Sequence, residues 1–268
     1  MMRRRAALAL AVAAASCGDD SGFPDARVDG PPARGTISLS WTISDGDRVL
    51  TCDDVGSTTV GIAIIPDMQP FGSNDILSCT SGQGTSRPID PGKYDFVITL
   101  VGRAGTLASK SIDDKDVASG QDTPLGAIAF EVDATGGLKF RIGTGTAANC
   151  TPAGAGMTAT TLELRDPAGT CVPATFAIAA GASAPAATYA STCAGAAPVG
   201  PCIEADQDVT ASGLASGRHQ LVLEGRIGAA PCWKRNASIR IPAGGAELAA
   251  GTVAMVYDDA QAGCPPRP

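Results

Sequence analysis

Residues 89–98, IDPGKYDFVI, decide the fold class, because a proline–glycine turn leads there into a segment of alternating polar and apolar side chains. Such alternation predicts a β-strand with one buried face. The pattern returns at residues 214–223, LASGRHQLVL, and each copy is followed closely by Gly-Arg-x-Gly. The copies begin 125 residues apart. We therefore predict that the chain contains two copies of one β-domain.

Two further landmarks support the repeat. Residues 125–129, LGAIA, correspond to residues 250–254, AGTVA, again at an offset of 125. Cys52 with the later segment TTVGI at residues 58–62 resembles Cys150 with TTLEL at residues 160–164. These correspondences place the first domain near residues 36–134 and the second near 135–260, with a longer central insertion in the second and a tail at 261–268.

Further strands are predicted on either side of the repeated turn. Residues 36–43, TISLSWTI, alternate over their whole length and place Trp41 on the apolar face, so Trp41 is expected in the core. Residues 58–65, 94–101 and 127–132 continue the pattern between clusters of Gly, Pro, Asp and Asn. We found no helical stripe with caps, so the predicted fold class is all-β, with two tandem antiparallel β-sandwich domains that carry disulfides.

The turn at Pro91-Gly92-Lys93-Tyr94 resembles one found in immunoglobulin-like and transthyretin-like sandwich modules of exported bacterial proteins. The resemblance covers a short stretch of each domain. It implies an antiparallel sandwich of about seven strands, which the strand spacing also suggests. It transfers no catalytic residues to this chain.

The N-terminus has the layout of a secretory signal, predicted at residues 1–16. A basic MMRRR is followed by an apolar run at 6–15, about half of the roughly twenty residues that a membrane-spanning helix needs. Ala14-Ala15-Ser16-Cys17 resembles the bacterial lipobox, which implies a lipidated Cys17 as the mature N-terminus and a membrane as partner. Because Gly18 follows rather than aspartate, the resemblance favours the outer membrane. The alternative is a secreted protein in which Cys17 pairs elsewhere.

Residues 17–35 are predicted to be the lipidated cysteine and a disordered linker, because the segment is acidic, rich in Gly and Pro, and without hydrophobic periodicity. The whole chain has a formal charge of −7, and loss of Arg3, Arg4 and Arg5 with the signal lowers it to about −10. This charge repels phosphate backbones, so we expect no nucleic-acid partner.

The nine cysteines are consistent with export, because Cys17 leaves an even set of eight. Equivalent bridges in the two copies would join Cys52 to Cys79 and Cys150 to Cys202. Cys171 and Cys193 bracket an alanine-rich insertion, and Cys232 could fasten the tail through Cys264, but the connectivity of these four stays open. With no C-x-x-C pair and a single histidine, we expect no metal site and no cofactor.

Catalytic patterns are weak. His219 falls on a predicted strand where its counterpart is Tyr94, so it is interpreted as a strand side chain, and no G-x-S-x-G motif occurs. The glycine-rich stretches at 143–146 and 154–156 are interpreted as loops. Three acidic clusters are interpreted as solvated surface, with a calcium site as the alternative. They are Asp45, Asp47, Asp53 and Asp54; Asp113, Asp114 and Asp116; and Glu204, Asp206 and Asp208, which would share one side if extended.

The sequence thus favours a non-catalytic envelope lipoprotein that acts as a binding or adhesion module for a protein or glycan. One alternative is a periplasmic structural or assembly component that pairs with a partner protein, and a less favoured one is an enzyme. Trp233, beside Cys232, is the better candidate of the two tryptophans for an exposed, carbohydrate-stacking side chain.

Overall fold

The computed structural model describes residues 32–266. The predicted signal sequence, Cys17 and the linker up to residue 31 lie outside the described residues, as do the last two residues of the tail. The described part is all-β, as predicted, and its only helical element is a 3₁₀ turn at Cys79–Ser81. It contains no helix with the length and hydropathy needed to cross a membrane.

Strands β1 to β8 form the first domain. They are β1 Thr36–Asp45, β2 Arg48–Leu50, β3 Thr59–Pro66, β4 Ser73–Ser78, β5 Gln83–Thr85, β6 Gly92–Gly102, β7 Gly105–Val117 and β8 Asp122–Glu131.

Strands β9 to β19 form the second domain. They are β9 Thr135–Gly143, β10 Ala159–Arg165, β11 Cys171–Val172, β12 Ala174–Ile178, β13 Ala187–Ser191, β14 Gly200–Pro201, β15 Val209–Ala215, β16 Gly217–Ile227, β17 Ala230–Ile241, β18 Glu247–Ala254 and β19 Val256–Tyr257.

Each domain consists of two sheets, and the two domains share a strand plan. In the first, β4, β3, β6 and β7 form one sheet in that order, while β1 pairs with β2, β5 and β8 in the other. In the second, β10, β16 and β17 take the places of β3, β6 and β7, and β9 and β18 those of β1 and β8. Pairing is antiparallel except between β1 and β8 and between β9 and β18, where the first and last strands of each domain run parallel.

Alternation along these strands creates two hydrophobic cores. The first is built from residues between Ile37 and Ala134 and includes Trp41, as predicted, together with Ala243 from the second domain. The second extends from Leu138 to Met255 and is centred on residues such as Phe140 and Phe176. The strand plan and the cores therefore repeat together.

Four disulfides lie in the described part of the chain. Cys52 is bonded to Cys79 and Cys150 to Cys202, which are the pairs that the repeat indicates. The two pairings left open by the sequence are Cys171 with Cys193 and Cys232 with Cys264. Three of the four bridges thus belong to the second domain.

Residues just before the predicted linker boundary at residue 35 contact the first domain. Gly35 exchanges backbone hydrogen bonds with Ile89, and the carbonyl of Ala33 accepts hydrogen bonds from Ser119 Oγ and the Gly120 amide. These contacts attach residues 33–35 to the first domain. The chain therefore reaches the fold at the end where β1 and β6 begin.

The opposite end of the first domain contacts the second. Asp53 accepts hydrogen bonds from Arg218 Nε at 3.1 Å and Arg240 Nη2 at 2.6 Å, and Arg240 Nη1 also donates to its carbonyl. Ser216 Oγ donates to the carbonyl of Asp54 at 2.7 Å. The domains therefore meet where the Asp53–Asp54 turn lies against the start of β16 and the end of β17.

Candidate ligand-binding site

The candidate site is a cavity of about 820 Å³ at the end of the second domain that lies away from the first. Loop 144–158, which joins β9 to β10, forms one wall, and the C-terminal segment forms the other. The lining consists of Thr144, Gly145, Thr146, Pro152, Gly154, Ala155, Gly156, Ile227, Trp233, Tyr257, Pro265 and Pro266.

A fully buried asparagine holds the loop wall in place. Asn149 Nδ2 donates to the carbonyls of Ile142 and Ile203, and its Oδ1 accepts from Thr144 Oγ1 at 2.8 Å. Its backbone amide donates to the buried carboxylate of Glu204 at 2.8 Å. Because a buried polar network with every group satisfied is rigid, this network and the adjacent Cys150–Cys202 bridge fix the start of the loop.

A glycine lets the loop fold tightly above this network. A Cβ at Gly154 would lie 2.0 Å from the carbonyl oxygen of Ala148, so only glycine fits there. The amides of Gly154 and Gly156 both donate to the carbonyl of Thr151. Gly143 ends β9, whereas residues 144–146 and 154–156 are loops, as predicted, and both of these loops border the cavity.

Trp233 is the buried floor of the cavity, so the expectation that it is the exposed tryptophan is wrong. Only 2% of its surface is accessible, because its ring packs edge-on against Tyr257 with centroids 5.0 Å apart. Its Nε1 donates to the carbonyl of Ala155 at 3.2 Å. Strand β17 carries Trp233 into the core, where burial of a large aromatic surface outweighs any gain from exposure.

The C-terminal wall is fastened to β17 at several points. Cys264 is bonded to the fully buried Cys232, and the amide of Asp258 donates to the carbonyl of Cys232 at 2.8 Å. Lys234 Nζ contacts Asp258 at 3.0 Å and Gln261 at 2.9 Å. Tyr257 OH donates to the carbonyl of Pro265. The predicted tail at 261–268 is thus, up to residue 266, part of the cavity.

Neither wall contributes a charged side chain from the described residues. The lining offers threonine hydroxyls, backbone amides and carbonyls, proline rings and two aromatic rings. Such a surface can accept an uncharged ligand with apolar faces and hydroxyl or amide groups. It offers no strong attraction to an ionic one.

The acidic clusters do not converge on this cavity. Glu204, Asp206 and Asp208 do not share one side, because the chain turns at residues 205–206. Asp206 instead accepts from the amide of Ala182, and Asp208 pairs with Lys139 and Arg141. Hydrogen bonds from Arg141 and then Lys139 lower the pKa of Asp208. Within residues 32–266, no three acidic, histidine or cysteine side chains are grouped so as to hold a metal ion.

The other two clusters lie in the first domain. Asp53 is engaged by two arginines at the domain junction, and Asp54 Oδ2 accepts from the amide and hydroxyl of Thr51. Asp113, Asp114 and Asp116 are exposed on β7. Their positions correspond to solvated surface or to structural ion pairs.

His219 is a strand side chain at the domain junction, as the repeat indicates. It is buried on β16, and its Nε2 donates to the carbonyl of Ala215 at 2.8 Å. The eight cysteines of the described part are all in disulfides. Neither the histidine nor a thiol is therefore available at the cavity.

Comparisons with known proteins identify no relative in sequence. No protein-family model matches the chain, and no curated protein matches it. Solved structures share only a distant likeness. The minor pilin GBS52 of Streptococcus agalactiae has a TM-score of 0.28 at 10% identity, over 87% of this chain and 99% of that chain.

Two other pilins are similarly distant. The shaft pilin SpaA of Lactobacillus rhamnosus GG has a TM-score of 0.27 at 9% identity, over 84% of this chain and 100% of that chain. A mutant of the major pilin of Streptococcus pyogenes has a TM-score of 0.25 at 10% identity, over 82% and 99%. TM-scores this low carry no argument about this chain, so its function is argued from its own residues.

Proposed function

We propose that this protein is a non-catalytic envelope lipoprotein, anchored through Cys17 to the outer membrane, that binds a glycan in the cavity of its second domain. The anchor is proposed from the signal layout and the lipobox-like Ala14-Ala15-Ser16-Cys17. The disulfides of the described part suit the oxidising compartment that such a protein would occupy.

The observation that carries this proposal is the position of the cavity relative to the point where the linker joins the fold. Residues 33–35 attach to the free end of the first domain, and the Asp53 contacts mark its other end. In the second domain, β17 runs from Trp233 at the cavity to Ile241 near the junction, which spans about 26 Å at the usual strand rise. The point where residues 33–35 join the fold and the cavity thus lie at opposite ends, an arrangement suited to presenting a binding site away from a membrane.

The size and chemistry of the cavity support a glycan rather than a flat protein surface. Small-ligand sites usually enclose about 300–1,000 Å³, a range that includes this cavity. Its uncharged walls suit a neutral sugar segment, which can contact proline and aromatic edges and exchange hydrogen bonds with threonine and backbone groups. A protein ligand would instead need a larger and flatter contact area.

A matched pair of prolines tests the site. Pro152 lines the cavity, and Pro167 lies near the junction. Both are exposed, and both occupy the second position of a turn closed by a backbone hydrogen bond, from Gly154 to Thr151 and from Gly169 to Asp166. We expect the full-length Pro152→Trp protein to lose binding to an array of neutral oligosaccharides by at least about tenfold, because the indole would fill the cavity. Pro167→Trp should bind like the wild type.

The array distinguishes the two ligand classes. Equal binding by both variants would place the glycan site elsewhere, and absence of any sugar binding would favour a protein ligand.

Anchoring is tested separately by the intact mass of membrane-purified protein, which should begin at Cys17 with added acyl groups. Protease treatment of intact cells should remove the protein if it is displayed on the surface and spare it if it faces the periplasm.

A further inference from the structure

Two large apolar side chains are exposed together at the free end of the first domain. Met68 and Phe71 lie in the loop 67–72 between β3 and β4, and 93% and 84% of their surfaces are accessible. Single exposed apolar side chains are common, but two in one loop of six residues are a candidate contact. We call residues 67–72 the apical loop.

The fold holds the apical loop in this conformation. Met68 has a φ of 61°, a left-handed value that is unfavourable for a non-glycine residue. A Cβ at Gly72 would lie 2.0 Å from the carbonyl oxygen of Ile64, so only glycine allows the loop to return over the end of β3. The Asp67 amide donates to the carbonyl of Lys93 at 2.9 Å. Retained backbone strain that keeps apolar side chains in water suggests a function.

The apical loop lies at the end of the domain that the linker joins. Phe71 and Arg34 line the same groove, and Gly35 pairs with Ile89 beside it. Fifteen residues lie between Cys17 and Ala33, and the sixteen fully extended steps that join them span at most about 55 Å. A lipid on Cys17 would keep Ala33, at the same end of the domain as the apical loop, within this distance of the bilayer.

The charges around the apical loop are balanced, because Asp67 in the loop and Lys93, whose carbonyl accepts from the Asp67 amide, carry opposite signs beside two ion pairs. Arg34 Nε lies 2.9 Å from Asp90, and Arg87 Nε lies 3.4 Å from Asp75. Paired charges of opposite sign give little attraction to anionic lipid over zwitterionic lipid. An apolar contact with a zwitterionic surface is therefore the interaction that this end can make.

We propose that Met68 and Phe71 insert into the headgroup region of the bilayer that carries the anchor, as a second membrane contact. This inference rests on the proposed lipid anchor. Two side chains alone would bind a membrane weakly, but an anchor makes the contact intramolecular, with an effective concentration in the millimolar range for a short linker. The contact would orient the first domain and direct the cavity away from the membrane.

Fluorescence quenching tests this contact with a matched control. Phe71→Trp keeps an aromatic side chain in the apical loop. Val49→Trp is the control, because Val49 is 81% exposed and lies on β2 at the junction end of the domain. Each full-length lipidated protein is placed in phosphatidylcholine–phosphatidylethanolamine vesicles with brominated acyl chains, which quench nearby indoles. The buried Trp41 and Trp233 supply the same background in every variant.

The expected result is selective loss of emission from Phe71→Trp, with Val49→Trp quenched no more than wild type, and little change on adding salt. Equal emission from all three proteins, with acyl groups present by mass, would overturn the apical contact and leave the anchor in place. Absence of acyl groups would overturn the anchor and, with it, this inference. Self-association that depends on Phe71, without quenching, would show that a second copy covers the loop and would also overturn it.

Discussion

The two domains share one strand plan but differ in their disulfides and in the surfaces at their free ends. The first has one disulfide and presents an apical loop at its free end, whereas the second has three disulfides and a cavity there. In the second domain a C-terminal segment with the short strand β19 follows β18. It turns back along β17 and is bonded to Cys232, which creates a wall that the first domain does not have. The repeated strand plan thus supplies the scaffold, whereas the loop 67–72 and the C-terminal segment supply the separate surfaces.

The side chains of Tyr94 and His219 show how closely the scaffold is repeated. Tyr94 OH donates to the carbonyl of Asp90 at 2.7 Å, and His219 Nε2 donates to the carbonyl of Ala215 at 2.8 Å. In both domains the acceptor lies four residues before the donor. The same structural hydrogen bond is therefore made by two chemically different side chains at equivalent positions.

Core truncation should have the largest effect and should separate the domains. Phe96→Ala in the first core and Phe176→Ala in the second each remove a fully buried ring and should destabilise their own domain by about 3–5 kcal/mol. Chemical denaturation followed by hydrogen exchange measures this domain by domain. If both variants destabilise both domains equally, the two cores unfold as one cooperative unit.

Removing the bridge of the cavity wall should have the next largest effect. Cys232→Ala with Cys264→Ala opens a loop of 32 residues and should cost about 2–4 kcal/mol in the second domain. It should also release the C-terminal segment to proteolysis. Cys52→Ala with Cys79→Ala opens a loop of 27 residues and is the control. It should destabilise the first domain and leave the segment protected, and equal cleavage in both variants would contradict this assignment.

The repeated hydrogen bond should contribute equally in both domains. Tyr94→Phe and His219→Phe each remove the donor and leave a carbonyl unpaired, and each should lower stability by about 1 kcal/mol. His219→Tyr should restore the bond with a smaller loss. Thermal unfolding measures these changes. A large loss for His219→Tyr would show that the two positions are not interchangeable.

The junction should show the smallest effect, and it should depend on pH. Hydrogen bonds from Arg240 and then Arg218 lower the pKa of Asp53 below its usual value. Asp53 therefore stabilises the fold at pH values above the pKa of its carboxyl group in the unfolded chain, about 3.9. This contribution is lost as the pH falls through the lowered pKa of the folded state. Asp53→Asn should cost about 0.5 kcal/mol near neutral pH, since the pair is exposed to solvent.

The difference between wild type and Asp53→Asn should shrink as the pH falls below about 4, where the unfolded chain begins to bind the proton, and vanish below the lowered folded pKa. Asp208→Asn serves as the control, because its partners Lys139 and Arg141 belong to the second domain alone. The coupling free energy between unfolding of the two domains should change in Asp53→Asn and stay unchanged in Asp208→Asn. A difference that stays constant down to pH 2 would show that Asp53 is not a charged partner at the junction.

Much of the fold could be predicted because its signals are local or periodic. Alternation at residues 36–43 places Trp41 in the core, and the repeated turn at residues 89–98 and 214–223 aligns β6 with β16. The cavity could not be found in this way, although its glycine-rich loops at 143–146 and 154–156 were visible. Whether such loops border a cavity or lie on a flat surface depends on what packs opposite them, which is here the C-terminal segment.

By itself, the sequence determined an all-β chain with two copies of one domain and the cysteine positions that the copies share, because side-chain periodicity and repeat spacing are properties of the chain alone. Only the tertiary structure decided that Trp233 is buried beneath the cavity, that Asp53 joins the two domains, and that no described part of the fold covers Met68 and Phe71. Those outcomes depend on contacts between residues far apart in the chain, such as Trp233 with Ala155 and Asp53 with Arg240. No local pattern encodes them, because burial is set by the partner surface and not by the residue.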